Sequence, residues 1–538
     1  MGERYQVVII GGGPVGVSLA VELGQRGINV AVIERHREVG RIPKGQGLTH
    51  RSLEHFYFWN CVDEIRKARL LPEGYHIGGI IAYDNAMSGY WYDNGKARNK
   101  LHPYFFQRNE RLPQYLTEEV MRARAAQLPN ITFYWEHTVK SVDQDENGVR
   151  VGATSEQWPY EDMELEGDYA IGCDGTRSIT NAKVGIERHG TDMGKRMVLT
   201  VFSAPELNKG FERFGDKTTF LMLNPKNDGA WQFFGRVGVE TSTFFFHAPV
   251  DKDTKPTDTD HILSVMQEAA GFAFDAEFQH VGFWNFGIEV ADTYRKGRVF
   301  IAGDAAHSHP PYGGHGLNSG LEDVTNLGWK LAAKLHGWGS EALLDTYTEE
   351  RRPIFLQTGE DVIVGGIRRD AEWLNAHNPS VDRADFEGAW AERVEASEEP
   401  SDYEVNYQGS SIVINLAGGE SGVHGEHLLK ARAGHHLAPL MLSSGKNVFE
   451  ELGTGYTLVA LDISDNVVES FELAAQQLNI PLTVIRDSYA DRRLEFESPL
   501  LLVRPDQFLA WVGNQSQPDA VQILATVSAE PSNASTPA

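Results

Sequence analysis

The chain has 538 residues, enough for two or three domains with a large core, and its 41% hydrophobic and 10% aromatic content is that of a globular enzyme. A formal charge of −26 excludes nucleic acid and anionic membrane as electrostatic partners and leaves a solvated acidic surface as the plain reading. Only Cys61 and Cys173 are present, without metal or redox spacing, which excludes a disulfide framework and makes a reducing cytoplasm the expected compartment.

Tyr5 to Ile10 is a β-branched apolar run of strand length that ends in glycine. From Pro14 onward Val17, Leu19, Ala20 and Leu23 fall at helical spacing, and Gly27 stops the helix. A second apolar run, Val30 to Ile33, ends at Glu34 and Arg35. Strand, glycine-rich turn, helix and strand within about 30 residues make the βαβ unit that dinucleotide binding requires. Gly11 permits the tight turn, Gly13 lets a pyrophosphate approach the backbone, and Gly16 lets the helix pack close to the strand. The helix that opens with Pro14 and Val15 offers free N–H groups to phosphate from the residues after the proline, and Glu34 is placed to hold ribose hydroxyls. The alternative is an ordinary glycine-rich turn of an α/β core, and the motif alone does not separate NAD from FAD. The apolar start is not a signal peptide, because it opens Gly2-Glu3-Arg4 and is broken by the glycine loop. No uncharged apolar run approaches about 18 residues, so no membrane span is expected.

Farther along, residues near Ile77 to Trp91 read as strands, and LPQYLTEE (112–119) opens a helix that carries Gln114. YAIGCDGTRS (169–178) is a strand followed by a turn at Asp174-Gly175. The runs 197–203, 218–223, 231–237 and 243–248 are short, β-branched and aromatic, separated by turn residues, and predict an antiparallel sheet. Trp231, Phe233, Phe244 and Phe246 are either pocket walls or core, and at spacing two the core reading weighs more. Arg236 and His247 are candidates to polarise a substrate hydroxyl, and Tyr312, in the Gly/Pro-rich loop farther on, is a third catalytic candidate.

Arg298 to Ala302 reads as a buried strand closed by Gly303-Asp304, and a Gly/Pro-rich loop leads to a helix from about Leu317 to Leu335. Asp304 is a lone carboxylate at a strand end, suited to a polyol hydroxyl. Gly313 to Asn318 places flexible backbone before a helix N-terminus, where N–H groups and the dipole favour negative charge on a bound ring. His307, His309 and His315 raise zinc as a rival. They lack helical i, i+4 spacing and have no cysteine nearby, so the loop reading stands and no metal is expected.

GGGPVG (11–16) with Glu34, CDGTRS (173–178) and the segment from Gly297 through Ala332 resemble the three fingerprints of the class A flavoprotein monooxygenases, nearest to the phenol hydroxylase-like branch. The resemblance runs over essentially the whole chain. It implies an α/β protein with a Rossmann-like FAD domain, an inserted mixed or antiparallel substrate sheet and a thioredoxin-like C-terminal domain. By it, Asp304 binds the ribityl chain and Gly314, His315, Gly316, Leu317 and Asn318 contact the isoalloxazine, beside Pro311 and Tyr312. Gln114 and Asp174 lie near the flavin. The chain departs from the pattern at Asn181 and Lys44, where arginine is usual, and at His315, often glutamine.

The implied reaction is hydroxylation of a phenolic or related aromatic compound with NADPH or NADH and O2, through a C4a-hydroperoxyflavin. Baeyer–Villiger insertion or hydroxylation of a polycyclic polyketide-like substrate is the alternative, and a flavin-binding scaffold without oxygenase activity is a third reading. There is one glycine-rich βαβ and no second for nicotinamide.

The expected domains are 1–185 (FAD, with about 76–105 joining the substrate sheet), 186–285 (substrate sheet), 286–393 (FAD domain, second part), a 394–405 linker and 406–527 (C-terminal). A disordered tail is expected over 528–538. The last domain alternates strand and helix and resembles the thioredoxin-like unit at 432–439 and 502–511. With no cysteine past Cys173 it is redox-inert, hence structural or dimer-forming.

Overall fold

The computed structural model describes residues 3–75, 77–157, 160–514 and 518–530. Its first sheet has Arg295–Lys296, Val299–Ile301, Asp162–Gly172, Glu3–Ile10, Val30–Glu34 and Ile131–Trp135 in that order, with the strands His137–Asp145 and Gly148–Ser155 joined to Asp162–Gly172. Its central strands pair in parallel, Val7 with Val30 and Tyr169, and Ala170 with Val299. Both faces are covered, so Val7, Val8, Ile9 and Ile10 are all buried, and the strand reads as a continuous apolar run. The helices Pro14–Gln25 and His315–Leu335 share one core against this sheet.

Parallel pairing brings the three fingerprints to one edge. The Cys173 N–H donates to Ile10 O (2.8 Å), the Ala302 N–H to Gly172 O (3.0 Å) and the Gly11 N–H to Ile33 O (2.9 Å). Ligands of open α/β sheets bind outside the carboxyl ends of the strands, and these contacts all lie there.

The second sheet runs His307–Ser308, Glu277–Ala291, Arg188–Ser203, Thr243–Val250, Gln232–Gly238, Thr219–Leu223, Gly79–Tyr83, Trp91–Asp93. It is mixed: Thr219–Leu223 and Gly79–Tyr83 are parallel, the other pairs antiparallel. Period two separates its faces. Phe220, Phe234, Phe244 and Phe246 pack against the helix Thr259–Ala270, while Leu221, Phe233 and Phe245 face Ile42 and Trp284. The strand Glu277–Ala291 runs without a break through the boundary expected at 285, because Gly282, Asn285 and Gly287 keep ladder partners on Arg188–Ser203 and the chain bends only at Asp292.

The helix Glu341–Gln357 continues through a π-helical turn, Thr358–Val364, into Gly365–Ala376. The expected 394–405 linker shrinks at both ends. The helix Arg383–Ala396 occupies its start, and Tyr403–Asn406 pairs with Gly422–His424. Its acids serve a helix end and ion pairs, Glu398 with Lys96 (2.6 Å) and Glu399 with Lys100 (3.6 Å), rather than an unstructured tether.

The C-terminal sheet has the order Leu482–Asp487, Tyr456–Leu461, Leu500–Val503, Leu509–Gly513, with the first pair parallel. Helices Asp465–Gln477 and Ala520–Val527 cover one face, in a core that includes Trp329, Ala333 and Trp338 of the FAD domain. The expected tail begins too early at 528. Ser528 is buried and its Oγ donates to Leu524 O (2.8 Å), and Ser340 Oγ donates to Ala529 O (2.6 Å). Residues 531–538 lie outside the described residues.

Candidate active site

The glycine turn is built around contacts that admit no side chain. Gly11 has φ +102°, and a Cβ there would meet Cys173 O at 2.5 Å. At Gly16 a Cβ would meet Gly11 O at 1.9 Å, so the helix packs on the strand end only as glycine. Gly13 is different: a Cβ there meets nothing within 4 Å. It caps the helix Pro14–Gln25, and no side chain satisfies the first N–H groups past Pro14 and Val15. That is an open anion cradle with its donors free. Glu34 borders it, accepting from the Gly12 N–H (2.6 Å) and the His36 N–H (2.8 Å), while Arg35 lies exposed beyond.

The other half follows the third fingerprint. Gly303 has φ +60° and a Cβ there would press on Val15, so the turn bearing Asp304 sits against the first glycine loop. The Asp304 side chain is open to solvent, yet protein crowds it and pushes its carboxyl up, against the pull of His307, Arg188 and Lys44. An accessible carboxylate with protein on all sides lines a deep cleft. Asp174 spends Oδ2 on the Thr180 N–H and Oγ (3.0 Å each), and its buried Oδ1 has no partner. Lys44 is within electrostatic reach of Asp304, Glu118 and His280, so it spans the cleft from the glycine loop to the sheet.

Gly313 and Gly314 have φ +68° and +73°, and Gly314 caps the helix His315–Leu335 with open space before it. The Asn318 side chain fixes this loop rather than facing it. Its Nδ2 donates to Gly314 O (2.6 Å) and Gly47 O (2.9 Å), and its Oδ1 accepts from the Thr49 N–H (3.0 Å) and Ser52 Oγ (2.6 Å). The Gln114 N–H donates to Gly45 O (2.8 Å), and a Cβ at Gly45 would stand 3.5 Å from Gln114 Oε1 and 3.8 Å from Leu317. Gln114, Leu317 and Gly45 therefore meet. Gly316 stands in the first turn of the helix His315–Leu335, and half-buried Pro311 in the loop before it.

The three histidines do not converge. His307 Nε2 binds Asp323 Oδ2 (2.6 Å), and its ring stacks on Phe355. His309 and His315 meet ring to edge at 6.2 Å, with proton affinities pulled down to about 3 and about 4 by burial. His315 also touches Tyr403.

On the sheet side, Tyr312 joins the ring loop to the substrate sheet. Its Oη accepts from the Trp231 N–H (2.9 Å) and donates to Trp231 O (3.3 Å), so this hydroxyl is a brace. His247 shares the cleft-side face with Phe233, Phe245 and Trp284 and keeps a buried, unpartnered Nδ1. Arg236, the other candidate, is on the far face. It bonds Asn208 Oδ1 and lies over Phe220 (5.5 Å) and Phe244 (5.3 Å), in the aromatic core. The reason is parity: Arg236 points with Phe234, and His247 with Phe245. Trp231 and Phe233 line the cleft side, Phe244 and Phe246 the core. Sequence reasoning missed Arg98 and Arg111, which sit in short elements with no periodicity to read, and His50, the first residue of the helix His50–Phe58.

Two predictions follow from these groups. Asp304→Ala is expected to weaken FAD binding by roughly tenfold or more, the loss of charge-assisted hydrogen bonds, read from the flavin absorbance of purified protein. Full retention of flavin would remove Asp304 from the site. His50 and His247 are buried, with proton affinities lowered to about 4 and about 3, mainly by burial. Each is therefore neutral in the fold and binds its proton first in the unfolded chain. Stability is complete above about pH 6.5 and falls as pH drops toward 4, by about 1.4 kcal/mol per pH unit for each. Urea midpoints at pH 7, 6 and 5 should decline in that order, and a flat series would contradict it.

Residues 4–360 match the model of the FAD binding domain family. The chain belongs to that family. It is 29% identical to 4-methyl-5-nitrocatechol 5-monooxygenase of a Burkholderia species, over 94% of this chain and 93% of that one. It is equally 29% identical to rifampicin monooxygenase of Streptomyces venezuelae, over 95% and 96%. The structure of the rebeccamycin biosynthetic enzyme RebC with reduced flavin superposes with a TM-score of 0.82 at 25% identity, covering 98% of this chain and 99% of that one. The chain is an FAD-dependent aromatic monooxygenase of the class A type. The free helix N-terminus at Gly13, the open space at Gly314, the unpartnered Asp174 Oδ1 and the accessible Asp304 all fit FAD.

Proposed function

We propose that this enzyme hydroxylates a phenolic or related aromatic compound, with NADH or NADPH as reductant and dioxygen as oxidant. Bound FAD supplies the reduction of dioxygen that leaves one oxygen atom on the ring. The protein's part is position and exclusion of water. Gly13 and the helix behind it receive the pyrophosphate, Glu34 the adenosine ribose and Asp304 the ribityl chain. Gly314 to Leu317 hold the ring edge from a helix N-terminus, where the dipole favours negative charge.

The observation that carries the reading is the Tyr312–Trp231 pair of hydrogen bonds. It ties the ring loop to the aromatic face of the second sheet, so substrate held on that face lies against the ring. His247, neutral in the fold, is on the same face, and its unpartnered Nδ1 can accept a hydrogen bond from a substrate hydroxyl, orienting it without taking its proton.

Turnover under 18O2, followed by mass spectrometry, tests this. One labelled oxygen in a catechol or quinol is expected; label-free product or bare peroxide would defeat it. Hydroxylation of a polycyclic compound is the second reading, favoured by similarity to aklavinone 12-hydroxylase RdmE of Streptomyces purpurascens, 26% identical over 98% of both chains. A labelled lactone would instead mark Baeyer–Villiger insertion. No helix among the described residues is long and apolar enough to cross a membrane. We place the enzyme in the cytoplasm on its two unpaired cysteines, and as a homodimer on the resemblance of its C-terminal domain.

A further inference from the structure

The chain carries 75 acidic residues against 49 lysines and arginines, so a buried guanidinium should easily find a carboxylate. Arg51, Arg351, Arg493 and Arg504 each do. Arg111 does not. It is 5% exposed, and its hydrogen bonds go only to neutral oxygens: Gln46 Oε1 (2.9 Å), Arg236 O (3.1 Å) and Thr219 Oγ (3.3 Å). Its Nε is buried without a partner. Glu110, next to it, spends its carboxylate on Arg69 (3.5 Å) and on the Arg111 backbone N–H (2.8 Å). Arg236 also lacks a carboxylate, but it is on the far face among aromatic rings.

Arg111 stands at the seam of the site. It pairs in strand register with Gly47, whose carbonyl receives Asn318 of the flavin-ring loop, and its guanidinium reaches Thr219 on the substrate sheet. A second guanidinium joins it. Arg98, on the short helix Gly95–Asn99 beyond the edge strand, is open to solvent, and its guanidinium forms no hydrogen bond or ion pair among the described residues. Its helix abuts Gly78, where a Cβ would stand 3.6 Å from Gly95 Cα, next to the strand paired with Thr219. Burial lowers the proton affinity of Arg111 to about 9 and also lowers that of His50 and His315, and the charge of Arg98 lowers each further. Among the described residues no carboxylate offsets either arginine.

Arg111, a buried cation without a carboxylate and with a second cation beside it, raises the free energy of the fold until an anion arrives. A guanidinium fork matches the two oxygens of a carboxylate. We propose that the aromatic substrate bears a carboxylate, which Arg98 and Arg111 receive at the seam between the flavin-ring loop and the substrate sheet. This rests on the hydroxylase reading above and narrows it to aromatic acids.

The test uses the FAD-loaded full chain and the perturbation of its flavin spectrum, which needs no turnover. Benzoate, salicylate and 1-hydroxy-2-naphthoate are titrated beside their carboxamides. The acids are expected to bind roughly tenfold or more tightly than the amides. Arg98→Met should abolish that preference with flavin content and amide binding unchanged, and Arg111→Lys should reduce it while keeping the charge. Equal binding of acids and amides, no perturbation by any acid, or an Arg98→Met variant that binds acids like the parent would overturn the proposal. An effect of Arg98→Met confined to NADPH binding would overturn it too, giving the arginines to the nicotinamide cofactor. Failure of oxygen transfer under 18O2 with every aromatic would bring down the hydroxylase reading instead, and leaves the acid preference separately measurable.

Discussion

Gly16→Ala is expected to yield protein without flavin and with stability lowered by about 1–3 kcal/mol, whereas Gly13→Ala loses flavin alone. The two glycines stand three residues apart and do different work. A Cβ at Gly16 would meet the backbone oxygen of Gly11 at 1.9 Å and Cys173 Cβ at 3.2 Å. A backbone atom cannot swing aside, so helix and strand must part, with the cost of an overpacked core. A Cβ at Gly13 meets no protein atom within 4 Å. It occupies only the space where a pyrophosphate approaches, and with the backbone of Gly13 already extended, glycine to alanine at this helix cap costs roughly 0.5 kcal/mol. Flavin absorbance and thermal unfolding on both variants separate the roles. If Gly13→Ala keeps its flavin, the cradle is not where the dinucleotide binds.

The second large effect lies away from the cofactor. Glu350→Ala should cost about 3–5 kcal/mol, the usual penalty for stripping a buried charge of its partner. Glu350 Oε2 receives Lys330 Nζ (2.6 Å), Arg504 Nη2 (2.8 Å) and Asn326 Nδ2 (2.6 Å), and its Oε1 receives Arg504 Nη1 and Ser410 Oγ (both 2.6 Å). Lys330, Glu350 and Arg504 are all fully buried. Arg504 also pairs with Asp506 (2.6 Å), which accepts from Trp329 Nε1 (3.1 Å), while Arg51 Nη2 donates to Asp506 O. The network fastens the C-terminal domain to the helix that starts at the flavin-ring loop. In a domain without cysteine, this is a mechanical role. The urea midpoint of Glu350→Ala, with Glu350→Gln as the milder case, checks it; an unchanged midpoint would mean that the domain is held by apolar contacts alone.

Much of this was legible in the sequence, for identifiable reasons. The βαβ unit declares itself because its periods change from two to 3.6 and its glycines sit at the changes. The third fingerprint is a strand, a loop and a long helix in direct succession. Parity was also available: Arg236 and Phe234 share one face and His247 and Phe245 the other, so Arg236 could have been set aside by counting. The Lys330–Glu350–Arg504 network could not be read, since charged residues on helices and turns look solvated until residues 154 apart are brought together. Arg98 stands in the run Lys96-Ala97-Arg98-Asn99-Lys100, which reads as ordinary basic surface, and Arg111 in a strand of two residues, too short for a pattern.

The central claim is that three separated segments form one FAD site, and the visible spectrum of the purified protein tests it most directly. The predicted result is the oxidised flavin spectrum at one flavin per chain, released by denaturation as FAD rather than FMN. Protein that is colourless and stays so after incubation with excess FAD would contradict the account at its first step.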